Sequence, residues 1–161
     1  KIFLSLKNVF LVLMLLTLAT GRTVAQNGKK IEVEYADDFD INQKEVPDAA
    51  LLTGNVRVRH EGMILTCNKA YYFQKENYIK AFGNVRMSQG DTLFLDGRYA
   101  EYNGNVKKAF ATGDVNMRSP DMRLVTDTIH FDRNIQQAYY TSGGTITNRE
   151  NVFRSKSGRY Y

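Results

Sequence analysis

The chain has 161 residues, 43% hydrophobic and 24% charged, with a formal net charge of +5; that size fits one domain, and that balance excludes disorder throughout. Lys1, Lys7 and Arg22 stand in the first 25 residues without an acid, so the rest of the chain carries 19 Lys+Arg (22 less 3) against 17 Asp+Glu, or +2. That is not a basic footprint for nucleic acid, which is excluded as a partner.

Residues 1–25 read as a cleaved signal peptide. Lys1 and Lys7 form a basic start, and Val9 to Ala19 is an apolar run of eleven residues, too short to span a bilayer. Thr23-Val24-Ala25 then offers small residues for cleavage before Gln26. A retained anchor is the alternative, and lipoprotein processing is not expected, since no Cys lies near the end of the leader. The leader predicts export from the cytoplasm. Cys67 is the one cysteine, which excludes an intrachain disulfide and a cysteine-based metal cluster. Its strand-like context, Leu65-Thr66-Cys67-Asn68, predicts a small buried apolar residue.

Ten Tyr, nine Phe, twelve Gly, two Pro and no Trp favour strands and turns. Residues 31–52 read as the latter part of a repeat unit, with Ile31, Val33 and Tyr35 alternating and a longer turn at Gln43 to Asp48. Thr53-Gly54-Asn55-Val56-Arg57-Val58 then recurs as Phe82-Gly83-Asn84-Val85-Arg86-Met87 and as Thr112-Gly113-Asp114-Val115-Asn116-Met117, with a fainter copy at Gly143 to Thr147. Glycines 54, 83, 113 and 144 are 29, 30 and 31 residues apart. Each Gly-Asn/Asp reads as the opening of an alternating strand, followed by a turn (Glu61-Gly62, Gln89-Gly90, Ser119-Pro120), a second strand and a hairpin back. Ala70-Tyr71-Tyr72, Ala100-Glu101-Tyr102 and Ile129-His130-Phe131 lead into those hairpins. The turns Asn103-Gly104-Asn105 and Asp132-Arg133-Asn134 are expected to supply positive φ. Val106 and Ile135 are expected to resume the apolar strand. Ser157 to Tyr161 echoes the region around Gly97, so residues 26–161 are expected to be one all-β domain truncated at its C-terminus.

Strands with one apolar face must bury it against another sheet. Arginines 57, 59, 86, 118 and 123 alternate with the apolar residues, which argues against a membrane barrel and for a water-soluble two-sheet fold or folded-over sheet. The apolar face contains Val56, Val58, Ile79, Ala81, Val85, Met87, Leu93, Leu95, Val115, Met117, Leu124, Ile129 and Phe131. It reads either as a filled core or as a groove for acyl chains, and both readings stand at this level.

These recurring units resemble the OstA/LptA family of lipopolysaccharide-transport proteins, over roughly residues 31–150. The resemblance implies a β-jelly roll shaped like a twisted V, whose interior holds the acyl chains of lipid A. It also implies a periplasmic location, in association with the outer membrane, and head-to-tail joining through edge strands, with itself or with other jelly-roll transport components, in outer-membrane assembly. The candidate ligand face is then Val56, Val58, Ile79, Val85, Met87, Leu93, Leu95, Val115, Met117, Leu124, Ile129 and Phe131. The competing reading is a structural or adhesive β-solenoid without lipid.

No chemistry of catalysis is evident, so no enzyme, cofactor or metal is expected. His60 and His130 read as strand-surface residues, and Asp37, Asp38 and Asp40 as a solvated turn. Arg57, Arg59, Lys69, Arg86, Arg98, Arg118 and Arg123 are either solubilising surface charges or contacts for phosphates at a groove mouth.

Overall fold

Alternation of apolar and polar residues on both sides of each Gly-Asn/Asp pair lets a single strand run straight through it. A computed structural model describes residues 28–161, so the leader expected over residues 1–25 lies outside the described residues. The strands are β1 (Glu32–Tyr35), β2 (Asp38–Asp40), β3 (Ala50–His60), β4 (Met63–Phe73), β5 (Tyr78–Gln89), β6 (Leu93–Asn103), β7 (Lys108–Arg118) and β8 (Met122–Asp132). Four short ones follow: β9 (Gln137–Tyr140), β10 (Gly144–Asn148), β11 (Val152–Ser155) and β12 (Gly158–Tyr160). The described residues contain no helix, and every pairing is antiparallel. Stacked solenoid coils would instead pair in parallel, so the fold is the expected V-shaped jelly roll.

The glycines do not open strands, as the repeat suggested; they lie within them, at bulges. Thr53 faces Lys69 and Val56 faces Cys67, so Gly54 and Asn55 together oppose Asn68. Gly83-Asn84 stands likewise against Arg98, and Gly113-Asp114 against Asp127. All six residues of these pairs are left-handed, with φ from +47° at Asn55 and Asn84 to +83° at Gly113. Gly and Asn/Asp are the residues that reach this region at least cost. A bulge bends its strand, and bulges at one level on β3, β5 and β7 make a crease across the sheet.

The crease divides each long strand between two leaves. The first leaf carries β2 at one end and β9 with β12 at the other; the second carries β1 at one end and β10 with β11 at the other. Inner faces stay inner across the crease, with different spacing on the strands that carry the bulge residues and on those that face them. On β4 the buried set shifts from Leu65 and Cys67 to Ala70 and Tyr72, while on β5 it continues as Ile79, Ala81, Val85 and Met87. The leaves are complementary in size. Ala70, Ala81, Ala100 and Ala111 face one another in register on the first leaf, whereas Val58, Leu65, Met87, Leu95, Met117 and Leu124 line up on the second. Small opposite large lets the two sheets approach and interdigitate.

At the hairpin ends of the first leaf, positive φ falls on Asn77, Lys107 and Gln136 (φ 54°, 55° and 50°), not within Asn103–Asn105 or Asp132–Asn134. Val106 and Ile135 therefore sit at hairpin tips, exposed, and do not resume the strand. Successive tips are tied together: Asn105 Nδ2 donates to Glu76 O at 3.0 Å and Asn134 Nδ2 to Val106 O at 2.8 Å.

Candidate functional site: the space between the leaves

All twelve residues expected on the ligand face point between the leaves. Val56, Val58, Ile79, Val85, Met87, Leu95, Val115, Met117, Leu124 and Ile129 are buried in one cluster, and Leu93 and Phe131 pack against it partly buried. The alternation expected from sequence missed Leu52, Met63 and Leu65 and the tyrosines Tyr72, Tyr102 and Tyr140, all of which share the same interior. Tyr72 and Tyr102 belong to the Ala-x-Tyr units, so the signal for them was present in the repeat.

The interior is filled in its middle and roomier at its ends. Between the leaves lies a cavity of about 30 Å³ lined by Met63, Met87, Leu93, Leu95, Met117, Ile129 and Phe131, which is water-sized and too small for an acyl chain. At the β1–β2 end an open space of about 610 Å³ is bounded by Ile31, Val33, Phe39, Ile41, Ala49 and Tyr72 on its apolar side and by Lys30, Gln43, Asp48, Gln74 and Lys75 on its polar side. At the other end about 280 Å³ is bounded by Met122, Leu124, Ala138, Tyr140, Ile146 and Tyr160.

Opposite the crease, where hairpins of the two leaves meet, the mouth is closed by polar groups. His60 is 1% exposed, correcting its reading as a surface residue. Its Nε2 lies 2.9 Å from Lys29 O and its Nδ1 2.7 Å from Tyr102 Oη. A carbonyl can only accept, so Nε2 carries the proton and Nδ1 accepts from the Tyr102 hydroxyl. Arg133 reaches across from the β8–β9 hairpin, donating to Tyr102 Oη at 2.7 Å and to Gln89 Oε1 at 2.9 Å. Beside it Lys107 Nζ meets Glu61 Oε2 at 2.6 Å, and that hydrogen bond, against the opposing effect of burial, holds the Glu61 carboxyl below its ordinary range. Burial raises the Tyr102 hydroxyl pKa, with the Arg133 hydrogen bond acting against it. Asn77, fully buried, donates to Lys29 O and accepts from Ile31 N at 2.7 Å, which seats the N-terminal segment over the same mouth. None of His60, Asn77, Tyr102 and Arg133 was expected at the mouth. The one trace in the sequence is that Arg133 occupies the turn position that Gly104 holds one repeat earlier.

The outer faces differ from each other. On the second leaf Arg57 and Arg59 pair with Glu34, and Arg86 and Arg118 with Asp96; the Arg59 hydrogen bond is the main cause of the lowered Glu34 pKa. Lys69 lies 3.9 Å from Glu45, Arg98 pairs with Asp114, and Arg123 Nε donates to Asn116 Oδ1. These cations face outward, away from the mouth. The outside of the first leaf carries an aromatic row, Tyr71, Phe82, Tyr99, Phe110, His130 and Tyr139, with successive ring centroids 4.7–6.5 Å apart. Such cross-strand pairs stabilise a sheet. His130 is thus the surface residue expected. Glu101 accepts from the Tyr78 and Tyr99 hydroxyls; burial and those bonds raise both tyrosine pKa values.

Cys67 is buried, and burial pushes its thiol up to about 11. Among the described residues no group of three His, Cys, Asp or Glu side chains is placed to hold a metal, and no helix is long and apolar enough to cross a membrane.

No curated protein matches the chain. The family of OstA-like proteins matches it over residues 28–161, the whole of the folded-over sheet. The chain belongs to the OstA-like family, a family of periplasmic lipopolysaccharide transport.

Proposed function

We propose that the protein shelters the acyl chains of lipid A between its two leaves and passes them along the groove axis. The observation that carries this reading is the run of apolar side chains on both inner faces, continuous from the space beside Ile31 and Phe39 to that beside Tyr140 and Tyr160. The middle is closed in this conformation, so a chain is admitted as the leaves part about the crease. Burial of each further methylene then contributes about 0.8 kcal/mol, and the methionines at 63, 87 and 117 adapt to its shape.

We also propose that the chain joins a partner, a second copy or another jelly-roll component, through its edge strands. Each end of the V presents two, β1 and β2 at one end and β11 and β12 at the other, and unpaired edges are templates for strand addition. Val152 and Phe153 on β11 are 62% and 53% exposed, apolar area that a partner strand would cover. Residues 1–25 act as the cleaved export signal in this reading.

The test is photo-crosslinking in cells making labelled lipopolysaccharide, with the reactive group at Val85, Met87 or Leu124 and controls at Arg86 and Arg118 on the outer face. Adducts confined to the inner positions support the reading. Equal labelling of both faces, or none with the protein folded and expressed, overturns it.

A further inference from the structure

Among the described residues Arg133 is the buried side chain that carries a full charge, at 8% exposure. Its Nη1 donates to Tyr102 Oη at 2.7 Å and to His60 O at 3.3 Å, its Nη2 to Glu61 O at 2.9 Å, and its Nε to Gln89 Oε1 at 2.9 Å. Every one of these acceptors is neutral. No carboxylate among the described residues lies within 4.0 Å of the guanidinium, and the nearest carboxylate in this cluster, Glu61, is bound to Lys107. Burying a cation without an anion is unfavourable unless its hydrogen bonds are complete. Here they span both leaves, so the residue pins the mouth shut. The same side chain borders the apolar cavity of Met63, Met87, Leu95 and Phe131.

We propose that Arg133 is the recognition group for the phosphate of an amphiphile whose chains enter between the leaves, and that the phosphate takes over the guanidinium as the pin releases. This rests on the acyl-binding reading of the interior and adds to it the site and chemistry of the head group. A planar guanidinium fork takes two phosphate oxygens at once, with charge-assisted bonds stronger than those it makes to neutral carbonyls. The exchange leaves no buried orphan at Tyr102, whose hydroxyl keeps His60 Nδ1 as its acceptor. The arginines at 57, 59, 86, 98 and 118 are already matched by carboxylates on the outer surface and at the crease. Arg133 is a cation beside the apolar interior whose capacity for an anion is unused. The equivalent position one repeat earlier is Gly104, so the device is placed once along the groove rather than at every repeat.

The experiment measures affinity of the full chain for dodecyl phosphate and for the uncharged dodecyl maltoside, by calorimetry below their micellar concentrations. Wild type is expected to prefer the phosphate by at least about tenfold, the scale of a hydrogen bond to a charged group. Arg133→Met should lose that preference while retaining or gaining affinity for the maltoside, because the mouth is unpinned. Arg86→Met, on the outer face, should leave the preference unchanged. A preference that survives Arg133→Met, or is absent in a wild type that binds both probes, overturns the proposal while leaving the acyl reading standing. If neither probe binds wild type or Arg133→Met, the acyl reading fails and this inference with it. Inorganic phosphate should not bind measurably; if it binds as tightly as dodecyl phosphate and through Arg133, the ligand is a free anion and the proposal falls. Should Arg133→Met not fold by far-UV circular dichroism, Arg133→Lys decides: the planar fork is required, so an undiminished preference overturns it.

Discussion

Replacing Gly113 by alanine probes the crease directly. Gly113 has φ +83°, and a Cβ there would stand 2.8 Å from the Cβ and 3.1 Å from the Cγ of Arg98. The left-handed backbone alone costs a non-glycine residue about 1–2 kcal/mol. The clash is with the first atom of the Arg98 side chain, which moves only if the β6 backbone moves, so overpacking adds about 1–2 kcal/mol. Gly90 is the internal reference, since φ is +59° there and a Cβ would meet nothing within 4 Å. Gly90→Ala should therefore cost only the backbone contribution. Urea and thermal unfolding followed by circular dichroism should place Gly113→Ala below Gly90→Ala by about 1–2 kcal/mol, or about 3–8 °C in Tm for a domain of this size. Adding Arg98→Gly removes the clashing atom, and a double-mutant cycle should return a favourable coupling of about the same 1–2 kcal/mol. Equal stabilities at positions 113 and 90, or no coupling to Arg98, would refute the account of the crease.

Ala100 is fully buried between Ala81 and Ala111, so Ala100→Leu should overpack the leaves and cost about 1–3 kcal/mol in urea unfolding; an unchanged midpoint would show that the leaves are not in close contact there. Cys67, with its thiol pushed up to about 11 by burial, should react with a disulfide reagent at pH 8 only as the protein unfolds, and rapid labelling without denaturant would contradict that burial. The Glu61 carboxyl is held below its ordinary value of 4.5, chiefly by Lys107. A lowered folded pKa stabilises above the unfolded value and is lost as pH falls through the folded one. Glu61→Gln should consequently flatten the fall in Tm below pH 4.5, and an acid limb identical to that of wild type would remove Glu61 from the mouth linkage.

The strand content and the repeat are legible in the sequence, because a pleated strand with one buried face imposes a period of two and each hairpin leaves Gly, Asn or Asp behind. The candidate interior was legible for the same reason: Val56, Val58, Val85, Met87, Val115 and Met117 follow their glycines at fixed offsets, and all are buried. The alanines of the first leaf were harder to read, since Ala70, Ala100 and Ala111 signal little hydrophobicity yet set the distance between the leaves. His60 was misread because a histidine at a strand end looks solvated until the opposite leaf folds over it.

By itself the sequence determined the strand-and-hairpin units, their order along the chain, the apolar face and the resemblance to the family. Those properties depend on neighbours within about 30 residues, where side-chain alternation and turn chemistry act. The tertiary structure alone decided that Gly-Asn/Asp pairs lie within strands and stack into a crease. It also decided that the two leaves close on a water-sized cavity and that the mouth is held by Arg133 and Tyr102 from one leaf and His60 from the other. His60 and Arg133 are 73 residues apart. No local pattern encodes such a meeting, because it exists only once the bulges have bent every long strand at the same level.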